Sequence, residues 1–160
     1  MPMQTRSFTR TYEGKSNVLA NDVLVARAHR PSDPPEKVVW KRVLAVWDTG
    51  ATNTVITARV AQDCDLKPTG MTQVYHAGGK TITHTYLVNI RLLNRVEVYQ
   101  LRVTQGSIGG QADVLIGMDI IGQGDFAVSN KDHKTVFSFR IPSVERIDFV
   151  KQPYKEKPVK

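Results

Sequence analysis

Asp48-Thr49-Gly50-Ala51 closes a segment rich in Val, Leu and Trp, Val38 to Trp47, and precedes a return to β-branched residues at Thr54-Val55-Ile56. A carboxylate on a turn between two strands is held rigidly enough for acid–base work. Gly50 lets backbone amides approach that carboxylate closely, and Thr49 offers a hydroxyl for a cross-brace. The same string also fits an Asp-x-Gly turn whose Asp only caps backbone amides. A second signal lies downstream at Asp113-Val114-Leu115-Ile116-Gly117-Met118-Asp119. An apolar triplet followed by Gly and a short helix is a common way to pack a strand beneath a loop, and taken alone it reads as core.

Other chemistry is poorly provided for. His29, His76, His84 and His133 have no metal-ligand spacing. Ser107 lies in a Gly-rich loop without the surroundings of a nucleophile elbow. No phosphate-binding glycine loop precedes a helix. The single cysteine, Cys64, rules out an intrachain disulfide framework and reads as a small buried residue. The expectation is therefore no metal and no cofactor.

The elements that must position these residues are mostly strands. Asn17 to Ala28 supplies one or two, and Arg30-Pro-Ser-Asp-Pro-Pro-Glu36 is a loop, since three prolines remove backbone donors. Thr57 is an N-cap for a short helix over Ala58 to Leu66. Met71 to Leu92 reads as two arms about Ala77-Gly78-Gly79-Lys80, with Gly78-Gly79 as the two-residue turn. That turn sets His76 opposite Thr81 and His84 opposite Gln73. Val96 to Val103 is the next strand and Gln105 to Ala112 a loop. Val114-Leu115-Ile116 is a strand buried on both faces. Met118 to Ile121 allows one helical turn, and strands follow over Phe126 to Ser129 and Thr135 to Ile141. Many short strands with one or two short helices imply a mainly β, barrel-like domain.

The 160 residues, 41% hydrophobic and 23% charged, suit one domain with a real core. No apolar run approaches the ~20 residues of a membrane-spanning helix. Residues 1–12 lack the apolar segment of a signal peptide, which fits a cytoplasmic protein. The net charge of +7 is carried by the two ends. Residues 1–43 and 131–160 each hold eight basic and four acidic side chains, whereas the middle is slightly acidic. The basic residues therefore read as solvating extensions and not as a specific nucleic-acid face. The chain divides into an N-terminal extension (1–37) with a Pro-rich loop, a β domain (38–143) and a basic, flexible tail (144–160).

Together the Asp48-Thr49-Gly50-Ala51 turn, the glycine-tipped hairpin at Ala77-Gly78-Gly79 and the Leu115-Ile116-Gly117 element resemble the retropepsin-like aspartic proteases. This group includes the retroviral enzymes, domains of ubiquitin-receptor shuttle proteins and bacterial members. The resemblance covers Leu44 to Ile141. It implies a closed barrel, the acid-protease half-domain, working as a symmetric homodimer on a peptide or protein substrate. Asp48 of each subunit is then catalytic, with Thr49 and Gly50 of the same motif. Ala51, Thr52, Asn53, Tyr75, Ala77, Gly78 and Gly79 fall at substrate-binding positions, the hairpin acting as a flap. Retroviral members often carry acids after this motif, one paired with an Arg after the downstream Gly. Here those positions are Thr52, Asn53 and Met118, so substrate-end contacts and the dimer rim must differ. A catalytically silent peptide-binding or assembly module on the same fold is the alternative.

Overall fold

The computed structural model of the chain describes residues 4–152. The tail expected to be flexible lies outside them from residue 153 onward.

Six strands close into a ring. β2 (Ala20–Arg27) pairs with β3 (Lys41–Trp47), and β3 runs parallel to β8 (Val114–Ile116). Next come β4 (Val55–Ile56), β7 (Glu97–Gln105) and β6 (Gly79–Arg91). β6 then returns to β2, from Leu24↔Arg91 to Arg27↔Val88, so the barrel has no gap. The thirteen residues of β6 are enough for two tasks. Its C-terminal half belongs to the ring, and its N-terminal half continues beyond it as a hairpin with β5 (Gly70–His76). The β6–β7 ladder carries a bulge between Val88 and Ile90, where Tyr99 and Gln100 of β7 oppose the single Asn89, whose side-chain oxygen accepts from Gln100 N at 2.9 Å.

A second, three-stranded antiparallel sheet packs on the barrel. β10 (Val136–Ile141) lies between β1 (Arg6–Thr11) and β9 (Asp125–Ser129). Residues 1–37, set apart in the sequence as an extension, thus supply β1 to one sheet and β2 to the other. The β1 strand was not foreseen, because Arg-Ser-Phe-Thr-Arg-Thr offers one apolar residue, Phe8. That residue is the one β1 buries.

The two sheets meet over an aromatic cluster. Trp47 stacks on Phe126 (5.8 Å, 10° between planes) and lies 5.0 Å from Phe139. Phe8 meets Phe137 edge-on at 5.8 Å. Phe137 and Phe139 are fully buried, and losing either ring would cost about 3–5 kcal/mol. Trp47 Nε1 donates to Asn21 Oδ1 at 2.9 Å, so the ring is fixed at its polar edge as well. The residue after Trp47 is Asp48.

Helix α1 (Ala58–Asp63) starts where Thr57 caps it and ends earlier than expected. Asp65 takes φ 47°, which ends the helical path before Leu66. Helix α2 (Met118–Ile121) is the anticipated single turn. In β8, Val114 and Ile116 are fully buried and Leu115 is half-buried.

Candidate active site

Asp48 sits in a turn whose backbone is bonded on both sides. Trp47 N donates to Leu19 O (2.8 Å) and Asp48 N to Ile116 O (2.9 Å). Ala51 N closes the turn onto Asp48 O at 3.2 Å. Gly50 N donates to Asp48 Oδ1 at 2.8 Å, while Oδ2 has no hydrogen-bond partner among the described residues. Asp48 is half-buried, and Thr49 and Gly50 are exposed.

The loop after the turn is clamped from beneath by α2. Met118 N donates to Ala51 O (2.8 Å) and Asp119 N to Thr52 O (3.2 Å). Asp119 takes the Thr54 N–H and hydroxyl, one on each carboxylate oxygen. Gly117 N donates back to Thr54 Oγ1 at 3.3 Å. A Cβ at Gly117 would stand 2.7 Å from the Asn53 carbonyl, so the apolar-apolar-Gly element ends in glycine for space. This clamp was not foreseen. Asp119 was visible two residues after Gly117, yet nothing in the sequence paired it with Thr54.

A cavity of about 840 Å³ lies under the β5–β6 hairpin. Val74, His76, Thr81 and Thr83 of the hairpin line it, facing Val55 and Gln105. The alternation of side chains along a strand puts Tyr75 on the other face. Tyr75, counted above with the substrate-binding positions, lines no part of this cavity; it is 70% exposed with Lys80 Nζ 5.2 Å from its ring centre. Asp48 and Thr49 line a separate cavity of about 510 Å³, shared with Val18, Leu19, Phe126 and Val128.

The hairpin tip differs in register from the expected one. His76 pairs with Gly79 and Met71 with His84, so Ala77-Gly78 is the turn and Gly79 opens the returning strand. Of the two glycines only Gly79 takes positive φ, 123°. The His76 side chain explains the shift. Its Nδ1 accepts from Gly78 N (3.1 Å) and its Nε2 lies 2.8 Å from Thr81 Oγ1, so the ring staples the turn. Ala77, Gly78 and Gly79 are all exposed, as are Thr52 and Asn53, whereas Ala51 is half-buried.

Two further carboxylates are structural in their bonding. Burial pushes Asp113 up, but bonds from Arg59 and Thr57, with the Arg59 charge, outweigh it and hold the carboxyl below its ordinary value. Asp125 is held at about 2 by the Ser143 hydroxyl and the Val144 N–H, with Arg140 beside it. Burial, and then Asp63, push the Cys64 thiol up. Among the described residues no three His, Cys, Asp or Glu side chains are grouped to hold a metal ion. No helix among them is long and apolar enough to cross a membrane.

The family model described as "gag-polyprotein putative aspartyl protease" matches residues 38–123, more than half of the chain, and the chain belongs to that family. The fold is similar to the crystal structure of a retropepsin-like aspartic protease from Rickettsia conorii. That match has 13% identity and a TM-score of 0.50, over 86% of this chain and 95% of that one. EIAV protease complexed with the inhibitor HBY-793 matches at 18% identity and TM-score 0.46, over 66% of this chain and 86% of that one. The retroviral protease-like domain of Ddi1 from Leishmania major matches at 16% and 0.41, over 71% and 82%. No curated protein matches the chain significantly. The fold is retropepsin-like and mainly β, as the resemblance implied.

Proposed function

We propose that the chain is one half of a homodimeric aspartic endopeptidase. It hydrolyses peptide bonds with a water activated by two Asp48 carboxylates, one from each subunit. The observation that carries this reading is the Asp48 turn. One carboxylate oxygen is fixed by Gly50 N–H, the other has no partner among the described residues, and the loop that follows is clamped by α2. Asp125, Asp113 and Asp119, the other acids of the same region, are each engaged by several donors. The second carboxylate is therefore taken from a second copy of Asp48.

Two carboxylates about 3 Å apart do not both ionise cheaply, so the pair keeps one proton, the general behaviour of aspartic-protease dyads. The ionised Asp48 draws a proton from the water as it attacks the scissile carbonyl. The protonated partner hydrogen-bonds the carbonyl oxygen and later protonates the leaving amine. The exposed Thr49 hydroxyls brace the two turns across the axis. The β5–β6 hairpin closes over the peptide as a flap and excludes water. His76 and Thr81 line the substrate side of that flap.

Incubation of the purified protein with a mixed peptide library, with and without a statine-type transition-state inhibitor, tests the reading. Cleavage that the inhibitor and Asp48→Asn both abolish is the expected result. Peptides bound but left uncut would assign the fold to a silent binding module instead.

A further inference from the structure

We infer that the cavity beneath the β5–β6 hairpin takes an acidic side chain of the substrate, a glutamate above all, and that Arg59 selects it. This rests on the proposed peptidase activity and names the kind of peptide the site would take.

The lining of that cavity has a sign. Arg59 and the ring of His76 are its ionisable side chains, and no carboxylate lines it among the described residues. Arg59 stands two residues after the Thr57 cap of α1 and is held by one edge only. Its Nε donates to Asp113 Oδ1 at 3.1 Å and its Nη2 to Asp113 Oδ2. Asp113 is itself fixed. Its carboxylate also accepts from the Thr57 hydroxyl at 2.9 Å, its carbonyl from Thr57 N at 3.0 Å, and its own N–H donates to Leu44 O at 3.0 Å. The other edge of the guanidinium, which carries Nη1, has no partner among the described residues, and the side chain is 67% exposed. An arginine anchored in this way has already lost much of its rotamer freedom, and it presents a planar fork on the cavity wall. The other acid near Arg59, Asp63 one turn along α1, lines a different cavity.

The rest of the lining suits the same ligand. Val55, Val74 and Ile108 give half-buried apolar surface for two methylenes, and Thr104 and Ser107 add hydroxyl donors. A glutamate lays its stem against the apolar side chains and sets two oxygens on two parallel N–H groups of Arg59. Glutamine offers one oxygen and puts an NH2 where the second acceptor belongs. Lysine brings a like charge to Arg59 and finds no carboxylate to meet. Asp48 does not line this cavity, so the selected residue lies away from the scissile bond and its contacts act on binding.

Decapeptide sublibraries that fix Glu, Gln or Lys at each position in turn test this on the wild type, Arg59→Gln and Arg59→Lys. At one position or more, the wild type should cleave the Glu set about tenfold more efficiently than the Gln set, with the Lys set slowest. Single peptides made from the preferred set should show the difference in KM and not in kcat. Arg59→Gln can still donate to Asp113 but has no second edge, and its Glu-to-Gln ratio should drop to about twofold or less. Arg59→Lys keeps the charge without the fork and should fall between. Each ratio compares two substrates on one preparation, so a partly unfolded variant does not distort it. Fluorescence anisotropy of the labelled sublibraries on Asp48→Asn reads the same ranking without turnover. Cleavage with no Glu preference at any position, or a preference unchanged in Arg59→Gln, would overturn the selection by Arg59 and leave the peptidase reading standing. Glu peptides bound in the expected ranking but never cut by the wild type would overturn the peptidase reading and leave the selection standing.

Discussion

Asp119 in α2 holds Thr54 through both carboxylate oxygens, Oδ2 on the backbone N–H at 2.8 Å and Oδ1 on the hydroxyl at 2.7 Å. Thr54 is fully buried and ends the loop that begins at Asp48. Asp119→Ala would leave two buried donors without an acceptor, at a cost of about 1–3 kcal/mol. Asp119→Asn keeps one acceptor oxygen and should fall between the two. Urea denaturation measures the loss. Activity should fall by more than stability explains, because the loop bearing Asp48 loosens before the barrel opens. An alanine variant with wild-type midpoint and turnover would show that the clamp holds nothing.

The β5–β6 hairpin, as the proposed flap, should depend on one glycine more than on the other. Gly79 has φ 123°, so Gly79→Val forces an L side chain into a strained region, at a cost of about 1–3 kcal/mol in the hairpin. A Cβ at Gly78 meets only the His76 ring, at 3.2 Å, and a side chain can swing aside. Peptide turnover should drop strongly in Gly79→Val and mildly in Gly78→Val, with the dimer intact in both. Equal kinetics in the two variants would sink this assignment of roles.

Acid should loosen the second sheet where Asp125 ties it down. The Ser143 hydroxyl, the Val144 N–H and Arg140 lower Asp125 to about 2 from an ordinary value of 3.8. A carboxyl with a depressed folded value stabilises the fold fully above the unfolded value. That contribution is lost as pH falls through the folded one. The bonds that tie Asp125 to Ser143, Val144 and β10 should therefore weaken between pH 4 and pH 2. Amide exchange over residues 140–145 at pH 5 and pH 2.5 reads this out. Asp125→Asn should show the loosened pattern at both, and a wild-type pattern unchanged at pH 2.5 would remove the role given to Asp125.

Most of the barrel could be read from residue types. Val38–Trp47 is rich in Val, Leu and Trp because β3 within it is paired on both sides, and Thr57 caps α1 because its hydroxyl accepts from Val60 N. The failures have local causes. β1 escaped notice because one buried phenylalanine in six residues makes no period. The hairpin turn slipped by one residue because a side chain, His76, fixes it, and backbone preference for Gly-Gly does not. Asp48 stood out because its turn is contiguous in sequence. Asp119 did not, since its partner Thr54 lies 65 residues earlier and only the fold joins them. The cavity-lining set of the β5–β6 hairpin, Val74 and His76 with Thr81 and Thr83, needed the register as well as the pattern.

The proposed dyad needs one proton and one negative charge, so kcat/KM should trace a bell with its maximum at acid to neutral pH. The step uses no metal, and chelators should leave the rate unchanged. Full activity at pH 10, or its loss on adding a chelator, would rule the dyad out.

Subunit mixing is the sharpest test of a shared site. Asp48→Asn is nearly isosteric, and its side-chain oxygen can still accept from Gly50 N, so the turn and the fold should survive. The amide cannot act as the base, nor can it share a proton. Mixed with wild type and allowed to exchange subunits, the variant should poison its partners. Activity should fall as the square of the wild-type fraction, because only wild-type pairs hold two carboxylates. A linear fall, at concentrations where exchange is demonstrated, would mean that one chain carries a complete site. A second acid would then be required within the chain. Asp125 and Asp119 come first, and the bonds that hold each of them would have to break for either to reach Asp48.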